Sequence, residues 1–365
     1  MSKKIIIHDN FEILGGAERS IIFLSKKYKL KIITLYKNFK IEKNIFEKFY
    51  FINNNFFHPF LRFLVNFFFY YFHNFNFKKF KIVFLSGHYC LMLLKPNIKS
   101  KIIYICHSPP RFFGDLRKEY KNKYKIFYKL LFLNYFINLY AKIYYEKINY
   151  CDLIICNSIV TKKRLVKFVD KKKIKIIYPL SAEISKYRND KDLGYFLSIS
   201  RLHWNKRVLD VARLFCKDSL KNKKLVICSF GPDVNKLKNL IEENKHNNIK
   251  FLGEISEKKK IKLISRCSAV IHVPKNEEFG IINLETLASG KPLITTDEGY
   301  FGKILKKNKY NCVIKNFSPE RLENAILNYK KKNYNSYISI KSNILLAKKL
   351  CHKNDKEDII RKILS

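Results

Sequence analysis

Glu277 and Glu285 stand eight positions apart in Pro274-Lys-Asn-Glu-Glu-Phe-Gly-Ile-Ile-Asn-Leu-Glu285. An apolar helix pattern runs on from Gly280 until Gly290-Lys-Pro292 stops it, and Leu293-Ile-Thr-Thr296 reads as the next strand. The order is strand, tight loop, helix, strand. A helix start of this kind offers N–H groups and a positive dipole end to an anion. Eight residues cover a little over two helical turns, which puts Glu277 at the loop tip and Glu285 on the helix. Two carboxylates beside an anion-binding terminus suit the hydroxyls and phosphates of a nucleotide sugar. Paired glutamates near a helix start are also ordinary solvated charges, so the spacing needs company.

Three other segments supply it. Ser200-Arg-Leu-His-Trp-Asn-Lys-Arg207 follows the apolar run Tyr195–Ile199. Arg201 as a planar fork and Lys206 as a point charge can reach a diphosphate from there. Leu14-Gly-Gly-Ala-Glu-Arg19 follows the run Lys4–His8 and opens a helix; Gly15 and Gly16 either bring backbone N–H groups close to a ligand or make a simple tight turn. His107-Ser-Pro-Pro-Arg111, with Asp115 beyond it, comes straight after Ile102–Cys106. A lone histidine is more often a structural hydrogen-bonder. At the carboxyl end of a strand, in a loop stiffened by two prolines, it is well placed for chemistry.

The elements that must position these residues alternate along the whole chain. Candidate strands in the first half are Lys4–His8, Leu30–Leu35, Ile82–Leu85, Ile102–Cys106, Leu153–Cys156 and Ile174–Ile177. Tyr178-Pro179 breaks the pattern, and Ser181–Asp192 reads as a polar linker. The second series is Tyr195–Ile199, Leu225–Cys228, Ile249–Leu252, Ala269–His272, Leu293–Thr295 and Asn311–Ile314. Short apolar runs between helical segments predict an α/β architecture of two Rossmann-like, doubly wound domains. Ligands bind beyond the carboxyl ends of such strands, so a central cleft between the halves is the expected site.

Taken in order, the motifs resemble the retaining glycosyltransferases of the GT-B fold, the large family four, over roughly residues 1–330. Glu-Glu-Phe-Gly-Ile looks most like the O-antigen mannosyltransferase branch, and the Gly15–Gly16 loop resembles the first-domain glycine loop of the same enzymes. The stretch from Ser200 resembles a G-R-L-x-x-x-K-G phosphate clamp with Ser200 and Arg207 in place of its two flanking glycines, which leaves the clamp's backbone geometry open. Asn157-Ser158 is similar to the family's Asn-Ser turn. Phe230-Gly231-Pro232 sits where a G-x-G loop is usual, with Ser229 replacing the first glycine. Thr296-Asp-Glu-Gly-Tyr-Phe-Gly302 lacks the usual paired glycines and following glutamate.

The resemblance implies an acceptor-side domain over 1–180, a nucleotide-sugar domain over 193–340, and a C-terminal helix within 341–365 that crosses back to the first domain. It implies donor contacts from Gly15, Gly16, Arg201, Lys206, Glu277, Phe279, Gly280, Ile281 and Glu285. Catalytic roles fall to His107, Arg201, Lys206 and Glu277, with Arg111 and Asp115 on the acceptor side. Either Glu285→Ala or Lys206→Ala is expected to abolish transfer with the fold intact. The implied reaction moves mannose from GDP-mannose to a lipid-linked glycan such as an O-antigen or capsule precursor. A UDP-hexose or UDP-N-acetylhexosamine donor is the same-fold alternative. No D-x-D-like element sits at a plausible strand end, so no obligatory metal or other cofactor is expected.

Bulk composition bounds the partners. The chain has 365 residues, enough for two ordinary domains, and a formal charge of +43. Such charge points to nucleic acid or an anionic membrane surface, or it reflects a composition rich in Lys, Asn, Ile, Phe and Tyr. A binding protein for nucleic acid or lipid alone leaves Glu277, Glu285 and the glycine loops without a purpose, so nucleic acid is not expected. The 9 cysteines form no C-x2-C pair, which fits a reducing cytosol. The apolar part of Met1–Asp9 is too short for a signal peptide. Phe56–Phe80 and Tyr120–Tyr150 are aromatic and basic but interrupted by polar residues, so no transmembrane helix is expected. Each fits an in-plane membrane helix or a buried aromatic one. The expected location is cytoplasmic, peripheral on the inner face of the cell membrane.

Overall fold

Along the first strands of the chain, neighbouring side chains serve opposite cores. Ile5 and Ile7, Val83 and Leu85, and Ile102 and Tyr104 join one apolar cluster. Ile6, Ile82, Phe84, Ile103 and Ile105 join another. Strand geometry sends successive side chains to opposite faces, so a run apolar at every position is a strand buried on both sides. The computed structural model describes residues 3–11, 14–37, 41–52, 59–125, 133–178, 184–329, 336–352 and 356–364. The chain divides into two compact units, residues 1–181 with 356–365, and residues 182–355.

The first unit runs β1 (Lys4–Phe11), α1 (Gly16–Tyr28), β2 (Lys31–Lys37), β3 (Phe46–Ile52), α2 (Pro59–Phe72), β4 (Ile82–Ser86), β5 (Lys101–Cys106), α3 (Arg117–Lys123), α4 (Leu133–Asn149), β6 (Leu153–Cys156), α5 (Ile159–Leu165) and β7 (Ile174–Ile176). Its sheet is 7-stranded in the order β3-β2-β1-β4-β5-β6-β7. Every pairing in it is parallel. Strand order reverses between β1 and β4, the position at which open α/β sheets place their ligands.

The second unit runs β8 (Tyr195–Ile199), α6 (Val208–Phe215), β9 (Lys224–Cys228), α7 (Val234–Glu242), β10 (Ile249–Phe251), α8 (Glu257–Arg266), β11 (Ala269–Ile271), α9 (Ile281–Ala288), β12 (Leu293–Thr296), α10 (Tyr300–Leu305), β13 (Cys312–Ile314), α11 (Pro319–Leu327) and α12 (Tyr337–His352). Its sheet is 6-stranded, β10-β9-β8-β11-β12-β13, and again parallel throughout. The reversal here lies between β8 and β11. Both sheets are thus Rossmann-like and doubly wound.

Each strand expected from the sequence has a counterpart. β3 was not expected: Glu47 and Lys48 interrupt its apolar run, and it occupies a sheet edge, where such interruptions are tolerated. The segment read as a polar linker is tied to the second unit where it is described. Asp190 N–H donates to Ser265 O at 3.0 Å, Arg266 Nε donates to its carboxylate at 2.6 Å, and Tyr187 is buried. The C-terminal region holds two helices where one was expected. α12 belongs to the second unit, while α13 (Lys356–Leu364) belongs to the first, burying Ile360 and Ile363 in the cluster that contains Ile6.

The aromatic stretches form α2 and α4, with residues 53–58 and 126–132 outside the described residues. Tyr140 of α4 packs against Phe63 and Phe67 of α2 at 5.2 and 5.5 Å between ring centroids. Both helices also leave rings in solvent: Phe72 is 73% and Tyr135 68% exposed. Among the described residues, no helix is long and apolar enough to cross a membrane.

Candidate functional site

The loop after β8 and the loop after β11 meet at the switch point of the second sheet. Lys206 Nζ lies 2.6 Å from Glu277 Oε2, and both side chains are largely enclosed. Backbone contacts brace this pair: Lys275 N–H donates to Asn205 O at 2.7 Å, and Tyr300 N–H donates to Glu277 O at 3.1 Å. Gly299 lies so close that a Cβ there would come within 2.4 Å of Glu277 O. Phe279 sends its ring into the core, stacked 5.2 Å from Tyr300, so only its backbone faces the loop. Burying such a ring contributes roughly 1.5–3 kcal/mol to fixing the loop. Gly280, at φ 80°, then turns the chain into α9. The helix start therefore comes four residues after Glu277, with Ile281 as its first residue.

Arg201 is exposed on the same loop as Lys206. Of the two clamp positions that lack glycine, the second is held by Arg207 in a glycine-like backbone. It adopts the left-handed conformation, φ 55° and ψ 25°, that glycine favours. That costs a residue with a Cβ roughly 1–2 kcal/mol. Offsetting contacts come from its guanidinium, which donates to Val273 O at 3.2 Å and Glu298 Oε1 at 2.9 Å and lies 4.0 Å from the Phe317 ring centre.

Glu285 is engaged elsewhere. Its carboxylate is buried and accepts from Lys260 Nζ at 2.6 Å; Lys260 also pairs with Glu257 at 2.8 Å. Burial raises the Glu285 pKa, and the Lys260 ammonium opposes that rise. His272, directly after β11, is buried, and burial lowers its pKa to about 4 despite the Glu277 carboxylate. The structure thus joins Lys206 to Glu277 and sets Glu285 on Lys260.

In the first unit, His8 of β1 shares a hydrogen bond with Ser86 Oγ of β4 at 2.9 Å. Its other ring nitrogen lies 3.9 Å from Glu18 Oε1, just inside α1, and Gly15 leaves room for that carboxylate. His107 follows β5 with its Nε2 buried and unpartnered. Burial, then His8, lowers its pKa to about 4, with Glu18 opposing. The Asn157 side chain donates to His107 O at 2.7 Å, so the Asn-Ser turn after β6 fixes this loop. Gly15 caps α1 and Gly16 begins it. Arg111 and Asp115 pair with each other at 2.9 Å, and Arg164 joins the same carboxylate at 2.9 Å.

His8, Glu18, His272 and Lys260 were not singled out from the sequence. The histidines had a usable signal, since each stands at the carboxyl end of an expected strand just as His107 does. Lys260 had none.

Residues 181–344 match the profile of the family described as glycosyl transferases group 1. The alpha-1,3/1,6-mannosyltransferase ALG2 of Candida glabrata is 26% identical over a region covering 41% of this chain and 43% of that protein. An uncharacterised glycosyltransferase of Methanocaldococcus jannaschii is 26% identical over 48% of this chain and 49% of its own length. The chain thus spans about half the length of the curated relatives it matches. Among solved structures, Anabaena HepE in complex with UDP-glucose superposes with a TM-score of 0.70 at 15% identity, covering 98% of this chain and 99% of that one. WaaG, a glycosyltransferase involved in lipopolysaccharide biosynthesis, gives 0.62 at 13% identity, with 98% of each chain covered. The Lys206–Glu277 pair therefore lies in the region that matches the glycosyl transferases group 1 profile, in a chain that shares the GT-B fold of these solved structures.

Proposed function

We propose that the chain is a retaining hexosyltransferase that moves mannose from GDP-mannose to a lipid-linked glycan in cell-surface polysaccharide synthesis. The observation that carries this reading is the Lys206–Glu277 pair at 2.6 Å, held at the switch point beside the start of α9. A bare lysine–glutamate pair satisfies each charge in the absence of ligand. A donor replaces it with two better matches, diphosphate on the ammonium and sugar hydroxyls on the carboxylate. Arg201 and Lys206 then supply the positive charge that a departing nucleoside diphosphate needs as it develops. Glu285, oriented by Lys260, takes the ribose hydroxyls. The bond between the anomeric carbon and the phosphate oxygen breaks, and its electron pair leaves with the diphosphate. The acceptor hydroxyl bonds to the same face of that carbon and gives its proton to the departing phosphate oxygen.

In the first unit we assign a sugar contact to His107, whose ring is neutral at physiological pH, and the acceptor side to Arg111 and Asp115. We assign α2 and α4, with exposed Phe68, Phe72 and Tyr135, to the anionic inner face of the cell membrane, in a cytoplasmic protein. The ALG2 relatives support a mannosyl donor. A second reading keeps the site and changes the donor to a UDP-hexose, the kind of ligand bound in the HepE structure.

A ligand that binds only the folded state raises the melting temperature. Thermal shifts with GDP-mannose, GDP, UDP-glucose, UDP-N-acetylglucosamine and UDP, with and without EDTA, test the proposal. A GDP-selective, EDTA-insensitive shift is expected. A UDP-selective shift transfers the assignment to the second reading, and no shift with any nucleotide overturns both.

A further inference from the structure

Two departures from the family pattern meet in the folded chain. Arg207 stands where the resemblance has the last clamp glycine, and Glu298 lies in the loop that lacks the paired glycines. They are 91 residues apart in sequence and bonded at 2.9 Å. If this position needed only a left-handed backbone, the guanidinium would be free to extend into solvent. Instead its contacts all fall on residues beyond the clamp loop: Val273 O, Glu298 and the face of Phe317. Glu298 in turn uses its second oxygen to accept the Asn276 N–H at 3.2 Å, one residue before Glu277. A single arginine thereby links the loop bearing Lys206, the loop bearing Glu277 and the loop after β12.

We propose that Arg207 is a positioning residue, which through Glu298 holds Lys206 and Glu277 in register for a nucleoside diphosphate donor. The inference rests on the donor reading above. It also makes a claim that needs no donor: the two loops are mechanically coupled through this pair. Arg207→Gly separates the alternatives, because glycine suits the backbone better than arginine while removing every side-chain contact.

The chain's 1 tryptophan, Trp204, lies in the clamp loop itself and reports on it directly. In Arg207→Gly, acrylamide quenching of Trp204 without ligand is expected to rise about twofold as the loop opens locally. Affinity for the nucleoside diphosphate should fall about tenfold, as for a lost charge-assisted contact. The donor KM should rise more than kcat falls. Glu298→Gln should reproduce these changes, the double variant should be no worse than either single one, and Arg207→Lys should recover part of the loss. Arg207→Gly with wild-type quenching and affinity, or additive effects in the double variant, overturns the proposal. If Arg207→Gly fails to fold, Glu298→Gln carries the same test. A wild-type chain that binds none of the nucleotides overturns the donor reading, and the ligand-free quenching then decides the coupling alone.

Discussion

The switch points of the two sheets solve the same problem with different chemistry. At the first, polar groups are held neutral or consumed by the backbone. Burial lowers the His107 pKa to about 4, and Asp9 spends its carboxylate on the N–H groups of His88, Tyr89 and Cys90 at 2.6, 3.0 and 2.7 Å. At the second, the same kind of strand ends carry full charges in pairs: Lys206 with Glu277, Arg207 with Glu298 and, on the flanking helices, Lys260 with Glu285. A neutral ring and a carboxylate anchored by backbone bonds make a rigid wall. Ion pairs with some exposure to solvent can exchange partners, which is what binding a charged donor demands. The second region is the better candidate for the donor, and the first for shaping what surrounds a sugar.

The sharpest way to break this contrast is to remove one charge from a buried pair. Glu285→Ala leaves the Lys260 ammonium enclosed with only the partly exposed Glu257 as a counter-charge. The expected cost is about 3–5 kcal/mol of stability, read from urea denaturation. The earlier expectation that this variant keeps its fold intact is therefore refined: loss of transfer and loss of stability should come together. Wild-type stability would show that the pair does not depend on its enclosure.

Lys206→Ala acts on the more open pair and separates function from folding. Transfer should slow by at least about 100-fold, the usual scale for losing one group that stabilises developing charge. The melting temperature should stay within a few degrees of wild type. Initial rates with whichever donor produces a thermal shift check this, and near-normal turnover would remove Lys206 from the site.

The loss of stability in the first region depends on pH and vanishes at neutrality. His107 has its pKa lowered from about 6.5 to about 4, so the unfolded chain takes up that proton first as pH falls. The stabilisation is fully present above about pH 6.5 and is lost as pH drops through about 4, on the order of 3 kcal/mol in all. His107→Asn should flatten this part of the stability profile. An unchanged slope would mean the ring is not held neutral.

Much of this molecule was legible before folding was considered. The strands were visible because a doubly covered parallel sheet needs unbroken apolar runs, and 4–8 or 102–106 show them plainly. Glu277 and Lys206 were visible because each follows such a run. β3 was hidden because an edge strand needs only one good neighbour and tolerates Glu47 and Lys48. His8 and His272 were overlooked although the rule applied to His107 covers them equally.

The sequence by itself determined the alternation of elements, the loops at strand ends and the types of residue those loops carry, because these follow from local periodicity and turn chemistry. Only the tertiary structure decided the partners. Lys206 meets Glu277 across 71 residues, Lys260 meets Glu285 across 25, and Arg207 meets Glu298 across 91. No local rule links residues so far apart. Their pairing is set by strand order in the sheet, and so is which lysine a given carboxylate faces.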